Sequence, residues 1–279
     1  MIPRLHFRSI VNSKTVLATT IAGILVAIAL ALNPFDSEAA RGGSNEQKPT
    51  VVLVHGSFAD ASGWEVVIER LQKDGYPVIA PANPLRSLSG DAAYIKSILD
   101  QTPGPLVVVA HSYGGAVITN AAAGNPNVKA LVYIDGFLPD IGEDALGLAG
   151  EGSQALPALD AKPFPPFGPN DLEFTLRQDA FRAVFAADVN KKTAAVMWAS
   201  QRPAAAATFG EPTTAAAWKT IPSWALIGRQ DNVITPDALR FMAQRANATI
   251  VEIDSSHVPM ISHPKKVVDI IREAAEAAD

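Results

Sequence analysis

Ser112 stands in "VVVAHSYGGAV" (residues 107–117), where a β-prone apolar run meets a turn of small residues and then a helical stretch. A serine so placed can be a nucleophile if the strand-to-helix turn is tight enough to expose its hydroxyl. That turn closes only with small neighbours two positions before and after the serine. Ala110 and Gly114 hold those positions. The usual pattern has glycine at the first, but the requirement there is smallness, and one methyl is the least obstacle after none. The helix start also offers free N–H groups to a developing oxyanion. The plain alternative is a serine that only caps a helix.

A serine hydroxyl needs a general base, and the base needs a carboxylate to orient it. The chain has five histidines. His6 lies in the N-terminal segment, and His55 and His111 flank glycine turns where an imidazole packs or bonds locally. His257, in "DSSHVPM", follows the last apolar strand pattern and so falls at the same sheet edge as Ser112. It is the expected base, and His263, just before Pro264 at the entry to a helical pattern, is its rival. For the acid, Asp231 in "LIGRQDNVITPD" follows the fifth strand pattern. Asp135, ending the fourth, is the alternative, while Asp237 reads as an acid at a helix N-terminus. The order Ser112, Asp231, His257, each beyond a strand end, favours an acyl-transfer triad. "LVHGSFADASGW" adds a turn after the first strand, so that the Ser57 N–H can join that of Tyr113 in a two-donor oxyanion hole.

The elements that must position these groups are read from periodicity. "TVVLVH", "PVIAP", "PLVVVA", "VKALVYID", "SWALIG" and "ATIVEID" are short apolar runs separated by helical patterns, the signature of a mostly parallel sheet of about six strands flanked by helices. Residues 138–220 break the rhythm, with no convincing strand, a Pro/Gly-rich "PFPPFGP" and helical patterning around Phe181, Phe185 and Met197. More than eighty such residues are too many for a loop. They are read as a helical lid over the carboxyl ends of the strands. Phe58, Phe137, Met197, Trp198 and Trp224 are apolar candidates for a substrate pocket near strand ends or in the lid, with a core role as the alternative for each.

Composition narrows the classes. A chain of 279 residues with 48% hydrophobic content can bury a large core without staples. It has no cysteine, so disulfides, thiolate metal sites and cysteine nucleophiles are excluded. The net charge of −5, with no basic cluster beyond two lysine pairs, speaks against a nucleic-acid partner. Arg4, Arg8 and Lys14 precede an uncharged apolar run over residues 16–32, and small residues at Ser37 and Ala39 follow. Residues 1–39 therefore read as an export signal or, uncleaved, as a membrane anchor, with residues 40–49 as a polar lead-in and the domain over 50–279.

Taken together, "HGSFADASGW", "AHSYGGAV", "GRQDNVITP" and "SSHVPMISHP", in that order and spacing, resemble the α/β-hydrolase superfamily, in its small esterase and hydroxynitrile-lyase-like branch. The resemblance runs from Pro49 to the C-terminus. It implies the α/β-hydrolase fold with a lid, no metal and no cofactor, and Ser/His/Asp chemistry on esters or related acyl bonds. In the lyases a threonine stands at the position of Gly56 and a lysine follows the histidine. Gly56 and Val258 stand here instead, so cyanohydrin cleavage is not implied. The expectation is a serine hydrolase of small to medium hydrophobic esters. Two alternatives stay open: other chemistry on the same triad, such as cofactor-free haloperoxidation or C–C hydrolysis, and a non-catalytic small-ligand receptor.

Overall fold

The computed structural model describes residues 48–164 and 171–277. The expected export segment, nearly all of the lead-in and most of the Pro/Gly-rich stretch lie outside the described residues. Among those described, no helix is long and apolar enough to cross a membrane.

Six strands, β1 (Thr50–Val54), β2 (Val78–Ile79), β3 (Leu106–His111), β4 (Val128–Ile134), β8 (Ser223–Gly228) and β9 (Thr249–Ile253), pair in parallel in the order β2-β1-β3-β4-β8-β9. Every residue of β3 and of β8 is buried. Strands covered on both faces are necessarily near-continuous apolar runs, and "LVVVAH" and "SWALIG" are such runs. The run expected at "PVIAP" contributes only the two half-buried residues of the edge strand β2.

Parallel neighbours need crossovers, and helices supply them. These are α1 (Glu65–Lys73), α2 (Leu88–Gln101), α3 (Tyr113–Ala121) and α8 (Pro236–Arg245), while the short α9 (Pro259–Ser262) and α10 (Pro264–Glu276) follow the last strand. Their ends are set by local chemistry: the Ser87 hydroxyl accepts the Gly90 N–H at the start of α2, and Thr235 caps α8 ahead of Pro236. The stripe Val267, Val268, Ile271 and Ala274 of α10 is fully buried where that helix packs on β3, β4 and β8. Burying each large member of such a stripe is worth about 1.5–3 kcal/mol.

The sheet is entered at β1, one strand in from its edge, and the chain runs out to β2, then crosses back to β3 and onward to β9. The loops after β1 and β3 therefore leave in opposite directions, and the crevice between them at the carboxyl ends is where a doubly wound sheet binds ligands. The turn at Gly56 and the turn at Ser112 are those two loops.

Between β4 and β8 lies the inserted segment. It holds α4 (Ala145–Leu148), α5 (Gln178–Phe185), α6 (Lys191–Ser200) and α7 (Ala207–Gly210), but it is not only helical. A three-stranded antiparallel sheet of β5 (Leu159–Pro163), β6 (Leu172–Leu176) and β7 (Ala204–Ala205) corrects the expectation of a strand-free lid. Its strands are short, polar-rich ("LDAKP", "LEFTL") and largely exposed or half-buried, so they carry no apolar run that a periodicity search detects. Arg86, ahead of α2, ties this sheet to the main body through Glu173 at 3.1 Å and the Pro203 carbonyl at 2.8 Å.

Candidate active site

The turn from β3 into α3 is strained at Ser112, which has φ 54° and ψ −128° and is buried. Few non-glycine residues adopt that region, and the neighbours are what hold it. A Cβ on Gly114 would lie 2.8 Å from the Val54 carbonyl oxygen, and one on Gly115 would lie 2.4 Å from that of Phe137. Both contacts are with backbone, so α3 can approach β1 and the β4 exit only because these positions lack a side chain. Ala110, fully buried in β3, keeps its methyl without this difficulty. Gly56 is equally constrained: a Cβ there would fall 2.6 Å from Ser112 Cβ and 2.7 Å from the His111 carbonyl oxygen.

Two backbone donors lie beside this turn. Among the described residues neither the Ser57 N–H nor the Tyr113 N–H finds an acceptor, and both residues line a cavity with Ser112. Tyr113 is anchored through its hydroxyl, which donates to Asp91 Oδ2 at 2.9 Å. Burial first, and then the neighbouring Asp91, raise the Tyr113 phenol above its ordinary value, so it stays protonated as that donor.

His257 and Asp231 meet in the interior. The Nδ1 of His257 lies 2.6 Å from Asp231 Oδ2, with both side chains fully buried. Asp231 Oδ1 accepts the N–H groups of Val233 at 2.7 Å and Ile234 at 3.1 Å. A carboxylate that accepts three N–H bonds fixes the tautomer: the imidazole proton sits on Nδ1 and the lone pair on Nε2. That Nε2 is buried and has no hydrogen-bond partner among the described residues. Burial pushes the imidazole pKa down to about 3, so the ring is neutral and able to accept a proton. The His257 loop is held to the elbow by His111, whose Nε2–H donates to the His257 carbonyl at 2.7 Å, and the two rings lie 4.6 Å apart.

The remaining acids and histidines fall into other roles. Asp135, at φ 41°, accepts the Gly228 N–H on Oδ1 at 2.6 Å and so joins the ends of β4 and β8. Its Oδ2 has no partner among the described residues, and burial followed by the nearby Asp231 raises its pKa well above the ordinary value. Burial raises the Asp231 carboxyl well above its ordinary value too, against the opposing pull of the Val233 and Ile234 N–H groups; Asp231 is the acid that faces the imidazole, and Asp135 is its neighbour. Ligating atoms of Asp135, Asp231 and His257 come within 4.8 Å of one another, but His257 Nδ1 is already committed to Asp231. His55 Nδ1–H donates to the Gly56 carbonyl and its Nε2 accepts the Asn83 N–H, so both ring nitrogens are spent on holding the turn after β1 to the segment after β2. Asp237 pairs with Arg240 within α8.

His263 belongs to a second cluster that sequence reasoning missed. Its Nδ1 is 3.6 Å from Asp188 Oδ2, in the inserted segment, and Asp188 also accepts hydrogen bonds from the Ser255 and Ser256 hydroxyls, the two residues before His257. Burial alone would raise the Asp188 carboxyl, but the bonds from Ser256 and Ser262 more than offset it and hold the group below its usual value. Asp188 therefore clips the lid to the loop that carries His257. Nothing in "FAADVN" sets this aspartate apart from a surface acid.

Of the apolar candidates, Phe58 and Phe137 line the cavity that holds Ser112, and Phe58 and Met197 line a larger one beside it. Trp198 faces elsewhere: its indole N–H donates to the Leu176 carbonyl, against a separate surface cleft. Trp224 is not brought to the site either, because it lies in β8 with its N–H 3.3 Å from Glu273 of α10. Phe185 and Phe209, not among the candidates, are brought there by the lid. Phe185 stands edge-on to the His257 ring at 5.1 Å, and Phe209 stacks on Phe58 at 6.0 Å.

This fold and this arrangement define a class. The family model described as "Alpha/beta hydrolase family" matches residues 51–270, and the chain belongs to that family. It is 30% identical over 257 residues to the Phoma sp. protein named "Probable hydrolase R7", covering 82% of this chain and 98% of that one. It is 25% identical to the pyrethroid hydrolase of Sphingobium wenxiniae, covering 81% and 88% of the two chains. Among solved structures, a pyrethroid hydrolase from Sphingobium faniae superposes with a TM-score of 0.68 at 22% identity, covering 82% of this chain and 98% of that one. The protein is a hydrolase of the α/β-hydrolase family.

Proposed function

We propose that this protein hydrolyses carboxylic esters of small to medium hydrophobic substrates through an acyl-enzyme. One observation carries the reading: a fully buried His257–Asp231 pair leaves the neutral Nε2 of His257 without a partner, on a loop bound to the elbow of Ser112. In this scheme Nε2 takes the Ser112 proton as the Oγ attacks the ester carbonyl. The N–H groups of Ser57 and Tyr113 receive the oxyanion. His257 then returns the proton to the leaving alcohol, and water, activated by the same nitrogen, releases the acid. Asp231 keeps the proton on Nδ1 throughout. The relatives named "Pyrethroid hydrolase" and, over about a third of this chain, "Carbendazim hydrolyzing esterase" support the reading at low identity. The tight Gly56–Ser112 approach, which leaves no room for a threonine side chain, weighs against lyase chemistry.

A panel of p-nitrophenyl esters from acetate to palmitate, with one bulky aromatic ester added, tests it. Turnover that Ser112→Ala lowers by about 10⁶-fold is the expected result. Unchanged hydrolysis in that variant sinks the assignment. We also propose that residues 1–39 form an export signal. N-terminal sequencing of the protein recovered from a secreting host should find a chain beginning close to residue 40, and an intact N-terminus in the membrane fraction would make the segment an anchor.

A further inference from the structure

An ester has two halves, and the site offers two unequal cavities that meet at one side chain. The smaller, about 50 Å³, contains Ser112, Ser57 and Tyr113 and is walled by Phe137, Leu156 and Phe209. The larger, about 310 Å³, lies between the lid and the segment after β1 and is walled by Phe185, Met197, Val258 and Met260. Phe58 lines both. Its ring stacks on Phe209 at 6.0 Å and meets Phe185 edge-on at 6.4 Å, and its backbone sits at φ 61°. Ring contacts on two sides and a backbone conformation that few side chains adopt hold it in place.

His257 decides which half goes where. The base gives its proton to the leaving oxygen, so the alcohol must depart on the His257 side of the tetrahedral carbon. The phenyl ring packed on His257 is Phe185, and Phe185 lines the large cavity but not the small one. The acyl group, whose oxygen must reach the Ser57 and Tyr113 amides, is left with the small cavity. A volume of 50 Å³ is only a few times the roughly 10–15 Å³ that a single water needs on this measure, which is room for an acetyl or propionyl group. We propose that Phe58 is a specificity-determining partition, and that the substrates are short-acyl esters of bulky apolar alcohols. The inference rests on the ester-hydrolase reading above.

The test is kcat/KM for 2-naphthyl acetate, butyrate, hexanoate and octanoate in the wild type, Phe58→Ala and Phe58→Leu. The wild type should lose at least tenfold from acetate to hexanoate. Phe58→Ala, which removes the ring that walls off the small cavity so that a longer acyl chain can extend into the large one, should raise the octanoate-to-acetate ratio at least tenfold. Phe58→Leu, which keeps more of the wall, should raise it by about threefold and stands in if the alanine variant does not fold. A wild type that prefers octanoate, or a ratio that moves less than twofold in the folded variants, overturns the partition. Fluorophosphonate labelling that Ser112→Ala abolishes separates the two readings: labelling without a chain-length break refutes the partition alone, whereas no labelling and no ester turnover refutes the hydrolase reading and the partition with it.

Discussion

At the scale of single residues, the site depends on where protons sit. Asp231 Oδ2 fixes the imidazole proton on Nδ1, and in the proposed scheme the bare Nε2 takes the serine proton. Asp231→Asn would reverse that bond and favour the wrong tautomer, so kcat should fall by roughly 10³–10⁴-fold with the fold intact. His257→Ala should be inactive with His263 present, while His263→Ala should keep at least a tenth of wild-type kcat, because its partner is Asp188 and not the reacting centre. Rate measurements with any ester that the wild type turns over check both, and an active His257→Ala would give the base role to His263. The depressed pKa has a stability consequence of definite sign. The unfolded chain protonates His257 below about 6.5 and the folded chain resists until about 3, so stability is lost as pH falls through that window. Denaturant unfolding at pH 7.5 and pH 5.0 should therefore show the wild type losing about 2 kcal/mol relative to His257→Gln. No change in the difference between the two proteins would mean that the imidazole is already charged when folded.

Elements hold these residues by close backbone approach and by the lid. Gly115 touches the Phe137 backbone where a methyl would stand at 2.4 Å, and neither strand nor helix can retreat without disturbing Ser112. Gly115→Ala should cost about 2–3 kcal/mol. In a domain of this size that corresponds to a fall of roughly 5–10 °C in Tm by scanning calorimetry. A variant within about 1 °C of wild type would show that the elbow is softer than its geometry. Asp188 acts at the same scale, joining the lid to the residues before His257 through the Ser255 and Ser256 hydroxyls. Asp188→Ala should lower kcat by about tenfold or more while leaving Tm within a few degrees, since it touches the loop and not the core. An unchanged kcat would reduce it to a surface clip.

For the whole molecule, the strand order β2-β1-β3-β4-β8-β9 makes the crevice and the lid covers it. The unit from Glu46 to the C-terminus contains the complete sheet, its core and every group of the candidate site. A chain beginning at Glu46 should fold and show the same kcat/KM as the full chain, by circular dichroism and ester assay. Loss of folding would assign the preceding residues a structural role.

Much of this was legible in the amino-acid order. Both faces of the sheet are covered, so its strands had to be apolar runs. Ser112, Asp231 and His257 each follow such a run, which places all three at one sheet edge before any coordinates are known. The tight turns were legible at Gly56 and Gly114 for the same local reason. Tertiary structure decided the rest, because it turns on contacts between residues far apart in the chain. Only packing separates Asp231 from Asp135, two buried acids that differ in how many N–H groups happen to face them. Only packing sends Trp224 toward α10 and brings Phe185 and Phe209 to Phe58. The strands of the lid, short and polar-rich, are held by pairing with one another and not by a buried face, so periodicity could not announce them.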